Sequence, residues 1–124
     1  MPNEIVAMKY CPQCRSDMVT ALVDNEERLS CADIQCGFVF WNNPVPVVAA
    51  VVEYGDNIVL AHNVEWPAGM FSVITGFLEQ SEDPVEGVVR EIEEELGLIG
   101  FDPKLLGVYP FPQMNQVIIA YHVR

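Results

Sequence analysis

Two groups of side chains in this chain have types and spacings suited to chemistry. Glu91, Glu94 and Glu95 stand three and four residues apart in a segment whose apolar residues, Val85, Val88, Val89, Ile92 and Leu96, recur at helical spacing. At about 100° per residue, the three carboxylates fall within one arc of about 100°, turned away from the centre of the apolar stripe. Like charges placed this way repel by roughly 0.2–0.5 kcal/mol per pair, and Arg90 supplies a compensating cation among them. A bound divalent cation would relieve the repulsion. Oxygen-only ligands select Mg2+ or Mn2+, and Mg2+ keeps waters and substrate phosphates as its remaining ligands. Taken alone, however, a glutamate run also reads as a solvated acidic face.

The second group is Cys11, Cys14, Cys31 and Cys36. A Cys-x2-Cys pair and a Cys-x4-Cys pair on either side of a hairpin can converge on one tetrahedral Zn2+. Gly37 would help the second knuckle turn. A four-thiolate site has no open position, so its zinc would be structural, stapling a segment too small to build its own core. The alternative is two disulfides. That suits poorly a chain whose first residues, Met1 to Tyr10, lack a secretion signal, and a cytoplasmic location is the expectation.

These groups need elements to position them. The chain has 124 residues, 51% hydrophobic, enough for one modest core with a small appendage. Met18–Val23 alternates, meets the polar turn Asp24-Asn25-Glu26-Glu27 and returns toward Cys31 as a hairpin. After the proline-punctuated connector from Asn42 to Pro46, the apolar run to Val52, the turn Gly55-Asp56-Asn57 and Ile58–Ala61 read as a second hairpin. Met70–Thr75 is a strand candidate that Gly76 would end. The spacing predicts a helix over Pro84–Leu96, with Asp83 and Glu86 as a capping box, Pro84 at the first position and Gly97 as the stop. Leu105–Tyr109 and Gln116–Val123 read as strands around the turn-rich Pro110-Phe111-Pro112. The longest apolar stretch, Val45–Val52, is far shorter than the roughly 20 residues of a membrane-spanning helix, so no membrane association is expected. A net charge of -12 argues against broad nucleic-acid binding, and phosphate must be held through metal ions.

Gly76, five residues, Glu82, seven residues and then Arg90-Glu91-Ile92-Glu93-Glu94-Glu95-Leu96-Gly97-Leu98 fill every defined position of the Nudix box. Residues 43–124 thus resemble a Nudix hydrolase domain, with residues 1–42 as a small zinc ribbon before it. The resemblance implies an α+β fold, a Nudix α/β/α sandwich around a mixed sheet. It implies metal-dependent hydrolysis of a nucleoside diphosphate linked to another moiety. It also makes Glu91, Glu94 and Glu95 metal ligands, with the backbone carbonyl of Thr75 or Gly76 adding an oxygen. Arg90 would pair with Glu82 and steer the carboxylates, and Gly76 would let backbone approach the metal.

The ribbon before the box resembles the NADH pyrophosphatase branch. Ile74 stands where many other Nudix proteins carry proline, and Tyr109-Pro110-Phe111-Pro112-Gln113 partly matches that branch's signature. Tyr109 replaces its tryptophan and Met114 its final serine. By this resemblance the substrate is a small nucleotide, an NADH- or NAD-like dinucleotide or ADP-ribose, with Tyr109 and Phe111 offering ring faces and Gln113 reading polar edges. The alternative is a non-catalytic nucleotide-sensing domain that uses the ribbon as an interaction surface. The family usually continues beyond the point where this chain ends, so C-terminal truncation is one expectation. Homodimerisation is another, because it would cover sheet edges. His62 and His122 read as structural histidines, and Trp66-Pro67 as loop packing.

Overall fold

The computed structural model describes residues 8–62, 65 and 67–124. The predicted role of Trp66 lies outside the described residues. The structure divides into two compact units between Asn43 and Pro44.

In the first unit, β1 (Met18–Val23), β2 (Glu26–Cys31) and β3 (Val39–Phe40) form an antiparallel sheet in that order. Val23 pairs with Glu26, so the turn is two residues long and Glu26 and Glu27 belong to β2, not to the turn. Asp24 and Asn25 take φ of 52° and 69°. Asn and Asp tolerate this region best after glycine, and a two-residue hairpin turn of type I′ demands it at both central positions.

The second unit is built on β4 (Val45–Tyr54), ten residues long. One edge of β4 pairs with β5 (Asn57–Val59) near its end and with β6 (Ile74–Phe77) near its start, both antiparallel. Its other edge pairs in parallel with β8 (Gln116–Val123), which pairs antiparallel with β7 (Lys104–Phe111). The sheet is therefore mixed. Helix α1 (Pro84–Leu96) packs Val88 and Ile92 against Val48, Ala50, Ile74, Tyr121 and Val123 on one face, forming the core. Among the described residues α1 is the sole α-helix, so they supply one helical layer of the sandwich.

Strand extents in this unit also differ from expectation, and the strand expected over Ile58–Ala61 runs Asn57–Val59, with Asn57 paired to Tyr54 and not in the turn. Gly76 does not end its strand: it pairs with Val48 inside β6, while Met70–Val73 contributes only an isolated bridge, Ser72 to Ala61. Pro110 and Phe111 belong to β7, paired with Val117 and Gln116, and only Pro112–Met114 turns, as one 3-10 segment. Proline lacks the N–H that a central strand needs, but β7 is an edge strand and accommodates it.

Candidate functional site

Helix α1 is fixed at both ends by local chemistry. Asp83 Oδ1 accepts from the Val85 N–H at 2.8 Å, and Gly97, at φ 68°, donates its N–H to Glu93 O. The buried stripe is rotated from the sequence expectation. Val85 is 41% exposed, whereas Glu91 is only 8% exposed, so one of the three carboxylates faces the sheet instead of solvent. Its carboxylate fills the space where a Cβ on residue 76 would lie. Gly76 is thus needed for the approach of Glu91, a reason not apparent from sequence.

Arg90 organises the acidic groups. Its Nε and Nη2 donate to Glu82 Oε2 and Oε1 at 2.6 and 2.9 Å, a bidentate pair. Nη1 donates to Glu91 Oε1 at 2.9 Å and Glu94 Oε2 at 2.8 Å, and Nη2 also reaches Phe77 O at 3.1 Å. Glu79 adds an ion pair at 3.3 Å. Hydrogen bonds from the guanidinium hold the Glu82 carboxyl down to about 2, and the same bonds push Arg90 further up. One arginine therefore locks four carboxylates, with Glu91 and Glu94 each bonded through a single oxygen.

A cavity of about 400 Å3 opens beside this network, and its lining includes Thr75, Gly76, Phe77, Glu91, Glu95, Phe111 and Gln116. Its volume suits a small-molecule ligand, and its lining mixes aromatic faces with carboxylates. Glu94 is exposed and joins the group through Arg90.

The NUDIX domain family model matches residues 43–124. The chain belongs to the NUDIX family. Within this NUDIX domain, similarity extends to the NAD-capped RNA hydrolase NudC of Mycobacterium bovis (strain BCG / Pasteur 1173P2), 40% identical over 78 residues, covering 62% of this chain and 25% of that protein. The NudC of Pseudomonas aeruginosa (strain LESB58) is 27% identical over 114 residues, covering 92% of this chain and 40% of that protein. The chain thus spans between a quarter and two fifths of the length of these curated relatives. A crystal structure of a NUDIX hydrolase from Nitrosomonas europaea superposes with a TM-score of 0.79 at 26% identity, covering 94% of this chain and 66% of that one.

Of the residues expected to meet substrate in the NUDIX domain, Phe111 lines the cavity. Tyr109 is exposed, with its hydroxyl 3.4 Å from Leu106 O, and Gln113 is exposed on the 3-10 segment. Gln116 lines the cavity instead of Gln113. It is the register partner of Phe111 across β7 and β8, a relation visible only once the strands are paired. Phe77 was also missed, although its place directly after Gly76 in the box was the available signal.

The four cysteines of the first unit are unbonded to one another, and their sulfurs all lie within 4.8 Å. Cys14 Sγ is 3.4 Å from Cys31 Sγ, and Cys11 Sγ is 3.8 Å from Cys36 Sγ. Tetrahedral Zn–S bonds of about 2.3 Å place sulfurs about 3.8 Å apart, so the donor set fits one zinc ion. The Gln13 and Asp33 N–H groups point at Cys11 and Cys31 Sγ, and Gly37 adopts φ 75° in the second knuckle. Hydrogen bonds from Ser16 draw the Cys14 thiol down to about 6, while burial pushes Cys31 up to about 12.

Proposed function

We propose that this chain hydrolyses the pyrophosphate bond of a nucleoside diphosphate linked to another moiety, releasing two monophosphates by water attack at phosphorus. The substrate in this reading is an NADH- or NAD-like dinucleotide or ADP-ribose. The observation that carries it is the meeting of Glu91 and Glu95 with Phe77 and Phe111 around one cavity, which sets oxygen ligands beside ring-stacking faces. Relatives named NAD-capped RNA hydrolase support the NAD-like half of the proposal.

Glu91, Glu94 and Glu95, with the Thr75 carbonyl, would hold Mg2+ or Mn2+. Their all-oxygen donor set fits such ions. When bound, the ion draws charge off the bridging oxygens and lowers the pKa of a water. Arg90 keeps the Glu91 and Glu94 carboxylates oriented, with Glu82 as its anchor, and does not itself bind substrate. Phe77 and Phe111 stack a ring of the substrate, and Gln116 reads its polar edge. In the same reading, residues 1–42 form a zinc ribbon with a structural ion on Cys11, Cys14, Cys31 and Cys36, and residues 43–124 form the hydrolase domain.

The test is incubation with Mg2+ and NADH, NAD+, ADP-ribose, FAD and diadenosine polyphosphates, with products resolved by chromatography. Turnover of NADH, NAD+ or ADP-ribose is expected, reduced about a hundredfold or more in Glu94→Gln. Binding without turnover across the panel would overturn the proposal in favour of nucleotide sensing.

A further inference from the structure

Glu95 also borders a second cavity, of about 180 Å3, lined with it by His62, Ser72 and Thr75 and by the apolar Ala61, Val73 and Ile74. Thr75 and Glu95 line both cavities, so the two meet at the edge of the acidic cluster. The second differs in kind from the first. Among the described residues its lining has no aromatic carbocycle, and it falls below the roughly 300 Å3 at which pockets enclose a drug-sized ligand. It suits a small polar group, not a base.

Among the described residues, a neighbouring backbone bridge and two contacts of the ring place His62 at this cavity. The bridge between Ala61 and Ser72 is closed by N–H···O bonds of 2.8 and 2.9 Å and clips the backbone beside His62 to the segment leading into β6. His62 Nδ1 lies 2.7 Å from Met70 O. A carbonyl only accepts, so Nδ1 is the donor of this bond. The ring also sits 5.4 Å from that of Phe71, tilted by 48°. An exposed histidine ordinarily samples several rotamers, and ordering it opposes folding. Here backbone, carbonyl and ring together fix an imidazole on the wall of a cavity that ends at Glu95.

A substrate cleaved between two phosphates needs room on each side of the broken bond. We propose that the His62 cavity is a second ligand subsite, taking the phosphate-bearing end of the mononucleotide half opposite the aromatic cavity, with His62 as a substrate-contacting residue. The inference rests on the pyrophosphohydrolase reading above and adds the placement of the second half.

The test uses the full chain with Mg2+, following the imidazole resonances by NMR during titration with AMP, nicotinamide mononucleotide and inorganic phosphate. His122, bonded to Glu53 at 2.9 Å on β8, is the internal control, and the His62→Ala spectrum assigns the signals. A shift of the His62 resonances by a mononucleotide, with His122 unmoved, is expected. In turnover, His62→Ala should raise KM for the dinucleotide about tenfold with kcat held within about twofold, as for loss of one hydrogen bond to a charged group. His62→Gln, whose amide reaches toward the Nε2 position, should restore KM, and His62→Asn, which mimics the Nδ1 side, should not. Rescue by Asn alone would make the histidine merely structural and overturn the proposal. An unmoved His62 with an unchanged KM would also overturn it, whereas a shift of His62 by inorganic phosphate as well as by a mononucleotide would support it, because the phosphate end is what the subsite takes. Because the titration needs no turnover, absence of hydrolysis by the wild-type chain would count against the pyrophosphohydrolase reading separately.

Discussion

At the scale of single residues, Arg90 and Gly76 decide where the carboxylates point, and each role makes a prediction. The Glu82 carboxyl is held down to about 2 by the Arg90 guanidinium, from an ordinary 4.5. A depressed folded-state value stabilises the fold above the ordinary value and loses that stabilisation as pH falls through the folded one. Wild type should therefore exceed Glu82→Gln in urea resistance by a constant margin above about pH 5, shrinking to nothing near pH 2. A margin independent of pH would contradict the pair. Gly76→Ala should place a Cβ into the Glu91 carboxylate and lower Mn2+ affinity about tenfold or more, read by calorimetry, with the circular dichroism spectrum retained. The identities of these residues were legible because the box fixes residue types at set spacings. Burial of Glu91 was not, because a helical wheel built from apolar positions gave weight to Val85, which the sheet leaves 41% exposed. The wheel has no knowledge that a strand glycine opens a slot for a carboxylate.

At the scale of elements, what was legible is what local chemistry settles. Asp83, Pro84 and Gly97 mark the ends of α1 through interactions within a few residues, and the helix runs Pro84–Leu96 as the spacing predicts. Asp83→Ala should remove the bond to the Val85 N–H and lower stability by about 1 kcal/mol, seen as a lower urea midpoint at unchanged m-value. A changed m-value would mean that the helix end had lost more than its cap. Strand extents depend on partners distant in sequence and were less legible. Gly76 looks like a stop until β4 offers Val48 as its register partner, and Pro110 looks like a turn until β7 proves to be an edge. The same dependence explains why Gln116 and not Gln113 reaches the cavity. Beyond Phe111 the 3-10 segment leaves Gln113 exposed, and the return strand brings Gln116 opposite Phe111.

At the scale of the whole molecule, the two units are stabilised by different physics. The second buries a contiguous apolar cluster running from Val48 to Val123. In the first, the residues described as buried are Cys11, Ser30 and Cys31, which is no apolar core. Among the described residues, so little burial does not offset the entropy of ordering a three-stranded sheet, and a second source of stability is needed. The converging sulfurs supply that source if they share a metal, because metal-binding free energy is then folding free energy. Purified chain should release one zinc per molecule to a strong chelator. On release, the amide resonances of residues 8–43 should collapse toward random-coil positions, while those of residues 44–124 keep their dispersion. Cys31→Ser, which removes a buried ligand, should give the same spectrum without chelator. Loss of dispersion in both units on zinc removal would show that the second depends on the first for its fold, contrary to the separate core it carries. Retention in both would show that the hairpin β1–β2 and its knuckles hold without metal, and the cysteines would then need another explanation.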